Sequence, residues 1–393
     1  MTSSSLGTMW DAIVVGAGPA GCHAAWELGN RGWKVLLVDR ASFPRWKPCA
    51  GGITVKAAPY IPNELHHLFE RTIHETVISW GPDRVTRLHC RKPVGWMVHR
   101  EEFDQAHLDL VRSLATVRVM EGTPVRGVVE DNDSVRVETG AGTFQGRALV
   151  GADGVESVVA RLFKGWDQRE FVAAFELEGW LPAGDHGIAT QFDFASFPGG
   201  YGWAFPKRRR CSIGGYVGGQ YARQVREQCR RFQSSWSTLQ GCEIYRQRGY
   251  RLPLGGTLRP YNSSRIVLAG DAADAVDPVT GEGIAQAFRT SHLAAAAIDR
   301  FLSCDRALDG YSWRLWKEIH GPFRLARKLS GLMYGHPSAA FRLMFRNRLL
   351  CRYFVRVLRG EMSYAGLLAR TVLAMPVLPA YRCRGAEVAV EVP

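Results

Sequence analysis

The sequence predicts an α/β fold in which a parallel sheet is interrupted by an inserted antiparallel sheet and followed by a helical C-terminal region. Three observations carry that expectation. WDAIVVGAGPAGCHAAWELGNRGWKVLLVDR reads as strand, glycine turn, helix and strand. VVAAFELEGW, YGWAFPKR and RCSIGGYV alternate as strands do, between two further glycine turns. FRLMFRNRLLCRYFVRVLRG then mixes Arg with Leu, Phe, Met and Tyr in the manner of an amphipathic helix.

The first unit is specific about its ligand. Ala12 to Val15 suit a buried parallel strand, and Gly16, Gly18 and Gly21 supply GxGxxG before a helix from about Pro19 to Asn30. Gly16 allows the tight turn, Gly18 lets the backbone approach a pyrophosphate, and Gly21 lets the helix pack on the sheet. The free N–H groups at the helix start favour phosphate. Asp39, ending the second strand, is placed to accept hydrogen bonds from ribose hydroxyls. Dinucleotide binding follows.

FPRWKPCAGGIT comes next, with Cys49 between Pro48 and Ala50–Gly51–Gly52, and Lys47 two residues earlier. It reads as a reactive thiol, a small packing residue, or a backbone that must pass close to a ligand. Further along stand VHREEFDQAHL, with Arg100, and ALVGADGVESVVARLF, with Asp153 and Gly154. RIVLAGDAADAVDPVTGEGI follows, with Asp271 and a turn opening a long helix.

These elements, in this order, resemble the FAD-binding Rossmann domain of the glutathione-reductase-like flavoproteins, and the middle DG motif resembles their p-hydroxybenzoate hydroxylase branch. YGWAFPK and WKPCAGG are similar to the YxWxFPK strand and PCGG-type loop of the geranylgeranyl reductase family, with Ala50 where that family often has glycine. The resemblance covers roughly residues 10–305. It implies FAD, with cofactor contacts from Gly16, Gly18, Pro19, Ala20, Gly21, Asp39, Arg40, Lys47, Cys49, Ala50, Gly51, Arg100, Val125, Asp153, Gly154, Asp271, Pro278, Gly281, Gly283 and Ile284. A second GxGxxG is missing, which suits NADPH as a transient electron donor. The implied activity is saturation of isolated C=C bonds in a prenyl chain on a lipid, quinone or diphosphate. Cys49, Tyr201 and Trp203 are the candidate catalytic residues, and Tyr201, Trp203, Phe205 and Pro206 the substrate lining. Tyr201, Trp203 and Phe205 stand at i, i+2 and i+4, one face of a strand. The rival on the same scaffold is a flavin monooxygenase or halogenase, for which Lys47 or Lys56 would be the candidate lysine.

The expected organisation is an FAD-binding domain of 8–75, 98–164 and 255–305, a substrate domain of 76–97 and 165–254, and a basic helical region of 306–393. That last region holds most of the +13 net charge. Its basic–apolar alternation favours a membrane surface over nucleic acid as partner. No run of 18 uncharged apolar residues is present, so a spanning helix is not expected. Nine cysteines without CxxC spacing, and no secretory leader, imply free thiols and no metal site. The expected location is cytoplasmic, at the inner face of the membrane.

Overall fold

The computed structural model describes residues 9–182, 188–304 and 307–392. The start of HGIATQFDF and the residues on either side of the expected boundary at 305 lie outside them.

Five short strands form the parallel sheet, in the order Val117–Met120, Val35–Val38, Met9–Val15, Gly142–Gly151, Ile266–Leu268. Val14, Leu37, Val150 and Val267 are fully buried, as expected of central strands covered on both faces. Strand Gly142–Gly151 serves two partners. Its second half joins the parallel sheet, and its first half pairs antiparallel with a hairpin made of Val125–Glu130 and Val135–Thr139. The register aligns Val15 with Val38 and with Gly151, so the three loops that follow leave from one sheet edge. Ligands in such sheets bind outside the carboxyl ends of the strands.

The second sheet has eight strands. Phe171–Trp180, Arg210–Gly218 and Tyr201–Pro206 form its centre, and Glu243–Pro253 its edge. It differs from expectation by being mixed. Thr190–Asp193 pairs parallel with Glu75–Ser79, and Glu387–Val392 pairs parallel with Val85–Cys90. The second pairing also corrects the reading of residues 306–393 as wholly helical. EVAVEV alternates with period two, burying Val388, Val390 and Val392 while its glutamates face out, so it covers strand Val85–Cys90 and becomes the sheet's outer strand.

Helices Gly321–Gly335, Arg348–Leu358 and Tyr364–Ala374 bring the chain back over the sheets. They share one apolar core with the rest: Ile13 and Leu149 belong to the same contiguous cluster as Tyr201, Phe323, Phe345 and Val392. None of the nine cysteines is joined in a disulfide.

Candidate active site

Gly16 sits at φ +99°, and a Cβ there would lie 2.4 Å from the Ala152 carbonyl oxygen. A Cβ on Gly21 would lie 1.7 Å from the Gly16 oxygen. Both glycines are therefore demanded by the protein's own backbone. Gly18 is not: the nearest atom to a Cβ there is Arg45 Nη2, at 3.7 Å. Space is kept open at Gly18 for something the chain itself does not supply. Helix Pro19–Asn30 has no side-chain cap at Gly18, and no acidic residue in its first turn. Its leading N–H groups therefore face the cavity unmet. Beside them, Arg45 has its Nη1 buried without a hydrogen-bond partner while Nη2 reaches Asp104 at 3.2 Å. A cation and free backbone donors around an open glycine are the donor set a pyrophosphate needs. Sequence reasoning passed over Arg45, although it lies four residues before the cysteine that drew attention.

Gly18→Ala is thus expected to leave the thermal stability of the apoprotein unchanged while weakening FAD binding. Gly21→Ala should lower that stability as well. Paired melting curves of apoprotein and FAD titrations check both, and equal melting points for the two variants would contradict the assignment.

The cradle opens into a cavity of about 1400 Å³. That exceeds the roughly 300–1,000 Å³ of a single-ligand pocket, leaving room for two molecules side by side. Most expected residues line it: Gly16, Gly18, Pro19, Ala20, Asp39, Arg40, Lys47, Cys49, Ala50, Gly51, Arg100, Val125, Asp153, Gly154, Asp271, Gly281, Gly283, Ile284, Tyr201, Trp203 and Phe205. Gly21, Pro278 and Pro206 are not among the lining. Gly21 is spent on helix packing, Pro278 is buried in its turn, and Pro206 is paired with Cys211 in the sheet.

Several of these side chains are already engaged. The two Asp39 carboxylate oxygens accept from the backbone N–H groups of Ala17 (2.6 Å) and Ala41 (2.7 Å), which fixes the acid over the glycine turn. Asp153 caps its own loop, accepting from Ser157 and from the Val158 N–H at 2.6 Å. Arg100 lies at the start of helix Arg100–Arg112 and makes a bidentate pair with Asp104, at 2.9 and 2.7 Å. Burial opposes the charge on that guanidinium and Asp104 restores it, and Arg100 also stands beside Cys49. Burial pushes the Lys47 ammonium down and the Asp271 carboxyl up, each partly restored by the other.

The Cys49 loop is anchored at Gly51, not at Ala50. Gly51 carries φ +74° and its oxygen accepts from Val98 N at 2.9 Å. A Cβ there would lie 2.2 Å from Val98 O, whereas Ala50 has no positive φ, so its methyl group costs the loop nothing.

Opposite the loop, Tyr201, Trp203 and Phe205 share one strand face as expected. Tyr201 packs edge-on against Tyr216 at 4.7 Å and Phe192 at 5.3 Å between ring centroids. The Tyr201 hydroxyl donates to the Thr280 carbonyl, and burial pushes its phenol well up. Trp203 Nε1 donates to Ser212 Oγ at 3.1 Å. The turn DPVTGEG is held from several sides. Tyr334 donates to Val279 O at 2.5 Å, Tyr364 to Asp277 at 2.8 Å, and Lys56 pairs with Glu282. Tyr334 and Tyr364 come from the C-terminal helices. The far end of the cavity is apolar, walled by Leu88, Met333, Phe345, Phe354, Val355 and Leu358.

A Gly-rich cradle at the strand ends, fitted for a pyrophosphate and opening into an apolar chamber, defines a flavoprotein of the FAD-binding α/β class. The profile of an FAD binding domain matches residues 9–170. Menaquinone reductase of Mycobacterium tuberculosis is 31% identical over 366 residues, covering 82% of this chain and 84% of that one. Geranylgeranyl diphosphate reductase of Rhodobacter capsulatus is 29% identical over 312 residues, 76% and 78% of the two chains. The geranylgeranyl bacteriochlorophyll reductase-like protein of Thermoplasma acidophilum superposes with a TM-score of 0.74 over 94% of this chain and 96% of its own, at 19% identity. Flavin-dependent halogenase structures share the fold too, so fold alone does not choose the chemistry. This chain belongs to the geranylgeranyl reductase family of FAD-dependent oxidoreductases.

Proposed function

We propose that the protein is an FAD-dependent reductase that saturates isolated C=C bonds of a prenyl chain carried on a lipid, quinone or diphosphate. The observation that carries this reading is the cavity: one continuous space whose first half fits a dinucleotide and whose second half is aromatic and aliphatic. A prenyl chain is long and apolar, so it needs such walls more than polar anchors. FAD, when bound, supplies the hydride. NADPH is the donor we infer, docking transiently, since the sequence carries a single GxGxxG unit.

The chain's residues then divide the work. Gly18, the helix start at Pro19–Ala20 and Arg45 hold the pyrophosphate, and Asp39 stands by the ribose. Tyr201, Trp203 and Phe205 hold the chain flat against the cofactor. Tyr201 acts as wall and clamp, because its proton is engaged by Thr280. Cys49, on the facing loop, is the proton donor. Of the two candidate lysines of the halogenase reading, Lys56 is tied to Glu282 while Lys47 lines the cavity. The reductase reading is favoured by the prenyl-chain and quinone reductases among the relatives, at 29–31% identity against 23% or less for the halogenase structures.

The test is anaerobic. The FAD-loaded protein is reduced, a geranylgeranyl lipid or menaquinone is added, and flavin reoxidation is followed together with product mass. A gain of two hydrogens per bond supports the reading. Reoxidation only on admitting oxygen, with a product gaining oxygen or halogen, would replace it with the rival.

A further inference from the structure

The C-terminal helices show two faces, of which one lines the cavity. The other is an exposed apolar surface that no part of the described chain covers. Eight of the large hydrophobic side chains that stand exposed fall between Leu332 and Tyr381. Five of them cluster on helix Tyr364–Ala374 and the turn after it: Leu368, Val372, Leu373, Met375 and Val377. Leu368, Val372 and Met375 recur at helical spacing, and Leu373 is 80% exposed. On the reverse side Ala374 and Leu378 pack with Leu350 of the neighbouring helix. That neighbour, Arg348–Leu358, turns Phe354, Val355 and Leu358 into the cavity. One helix thus separates the apolar surface from the apolar chamber.

The charge around the patch selects its occupant. Arg342, Arg348, Arg352, Arg370, Arg382 and Arg384 are all exposed on the C-terminal segment that carries it. Glu361 is the single acid in residues 337–386, and it already faces Arg356 and Arg359. A second copy of the chain would bring this cationic rim against itself. A polyanionic surface with an apolar interior satisfies both the rim and the patch.

We propose that helix Tyr364–Ala374 and the turn to Val377 form the face by which the protein docks on an anionic lipid bilayer, so that a prenyl chain passes from the bilayer into the cavity beneath. Among the described residues no helix is long and apolar enough to span a membrane, so this attachment is peripheral. The passage of substrate rests on the reductase reading; the docking does not.

The experiment uses the FAD-loaded full chain and sedimentation with vesicles of phosphatidylcholine, with and without about one third phosphatidylglycerol. Binding is expected to the anionic vesicles, weakening as salt rises, since exposed charges are screened within about 10 Å at 0.1 M. Leu373→Glu with Met375→Glu should lower the partition coefficient about tenfold or more, because apolar area that entered lipid now carries charge. Both positions are exposed, so the melting point should stay put. Turnover should fall with substrate embedded in vesicles and hold with a short-chain substrate dispersed in detergent. Wild-type protein that stays in the supernatant, or a double variant that sediments equally well, would overturn the docking face. So would a wild-type dimer that the double variant dissociates. Loss of turnover in detergent for the wild type would overturn the reductase reading instead.

Discussion

Replacing Asp274 with alanine is expected to remove about 3–5 kcal/mol of folding stability, the usual consequence of leaving buried charge uncompensated. Asp274 is 1% exposed and lies between two guanidinium groups. One oxygen holds Arg169 Nε and the other Arg259, at 2.8 Å to Nε and 2.7 Å to Nη2. Each arginine then holds a piece of the site. Arg169 donates to Val155 O at 2.8 Å and Asp271 O at 2.9 Å, and Arg259 to Ala272 O at 3.2 Å. The DG loop and the second glycine turn are thus tied together through one carboxylate. Asp274 adopts φ +52° to place it, a conformation most side chains avoid. Alanine would keep that strain and lose the reason for it. Asparagine keeps the shape and some acceptor capacity, so its cost should be smaller. Over 393 residues, at about 2.1 cal/mol/K each, the alanine loss corresponds to a fall in melting temperature of about 5 °C. A fall below about 1 °C in the FAD-loaded protein would show that the two arginines find other partners.

That cluster was not legible in the sequence. Its members are separated by up to 105 residues, and nothing local marks them. The parallel sheet was legible because its evidence is local: a continuous apolar run, glycines at fixed offsets, an acid at the next strand end. The roles of the acids were less so. Asp39 and Asp153 stand where expected, yet their oxygens are occupied by the chain's own backbone donors. A motif fixes where a carboxylate sits, but its partners depend on how the loop folds back. Arg45 was missed for a related reason. Its pairing with Asp104 bridges the Cys49 loop to helix Arg100–Arg112, a contact with no signature in either segment. The final strand was a misreading of available signal, since EVAVEV alternates with period two inside a region otherwise patterned for helices. The aromatic face at Tyr201, Trp203 and Phe205 was the reverse case. Strand geometry alone puts the three together, and the cavity lies where they point.

Cys49→Ala is expected to retain FAD and lose about 10²-fold or more in turnover, the range set by removing a general acid. Two cysteines line the cavity, Cys49 and Cys90. Burial pushes the Cys90 thiol up to about 11, against the pull of Arg359, and it sits in the apolar half. Burial pushes the Cys22, Cys229 and Cys351 thiols up, the hydrogen bond with Cys242 and then burial push Cys211 up, and none of the four lines the cavity. Cys49 is set apart by its position. It is half-buried between the dinucleotide cradle and the aromatic wall, with Lys47 and Arg100 beside it and Gly51 pinning the loop behind it. Saturating an alkene requires a proton at the carbon that does not receive the hydride, and no other thiol stands at that junction. Cys90→Ala should therefore leave turnover within about threefold, as a lining change away from the chemistry. Three readouts separate a proton donor from a packing residue. Reduction of the enzyme by its electron donor should be unaffected in Cys49→Ala, consumption of the alkene should slow, and Cys49→Ser should recover part of the loss because its hydroxyl can pass on a proton from water. Equal turnover in the wild type and Cys49→Ala at full FAD content would reduce Cys49 to a wall residue. The proton would then come from water admitted beside Lys47 and Asp271, whose charges burial has already drawn toward neutrality.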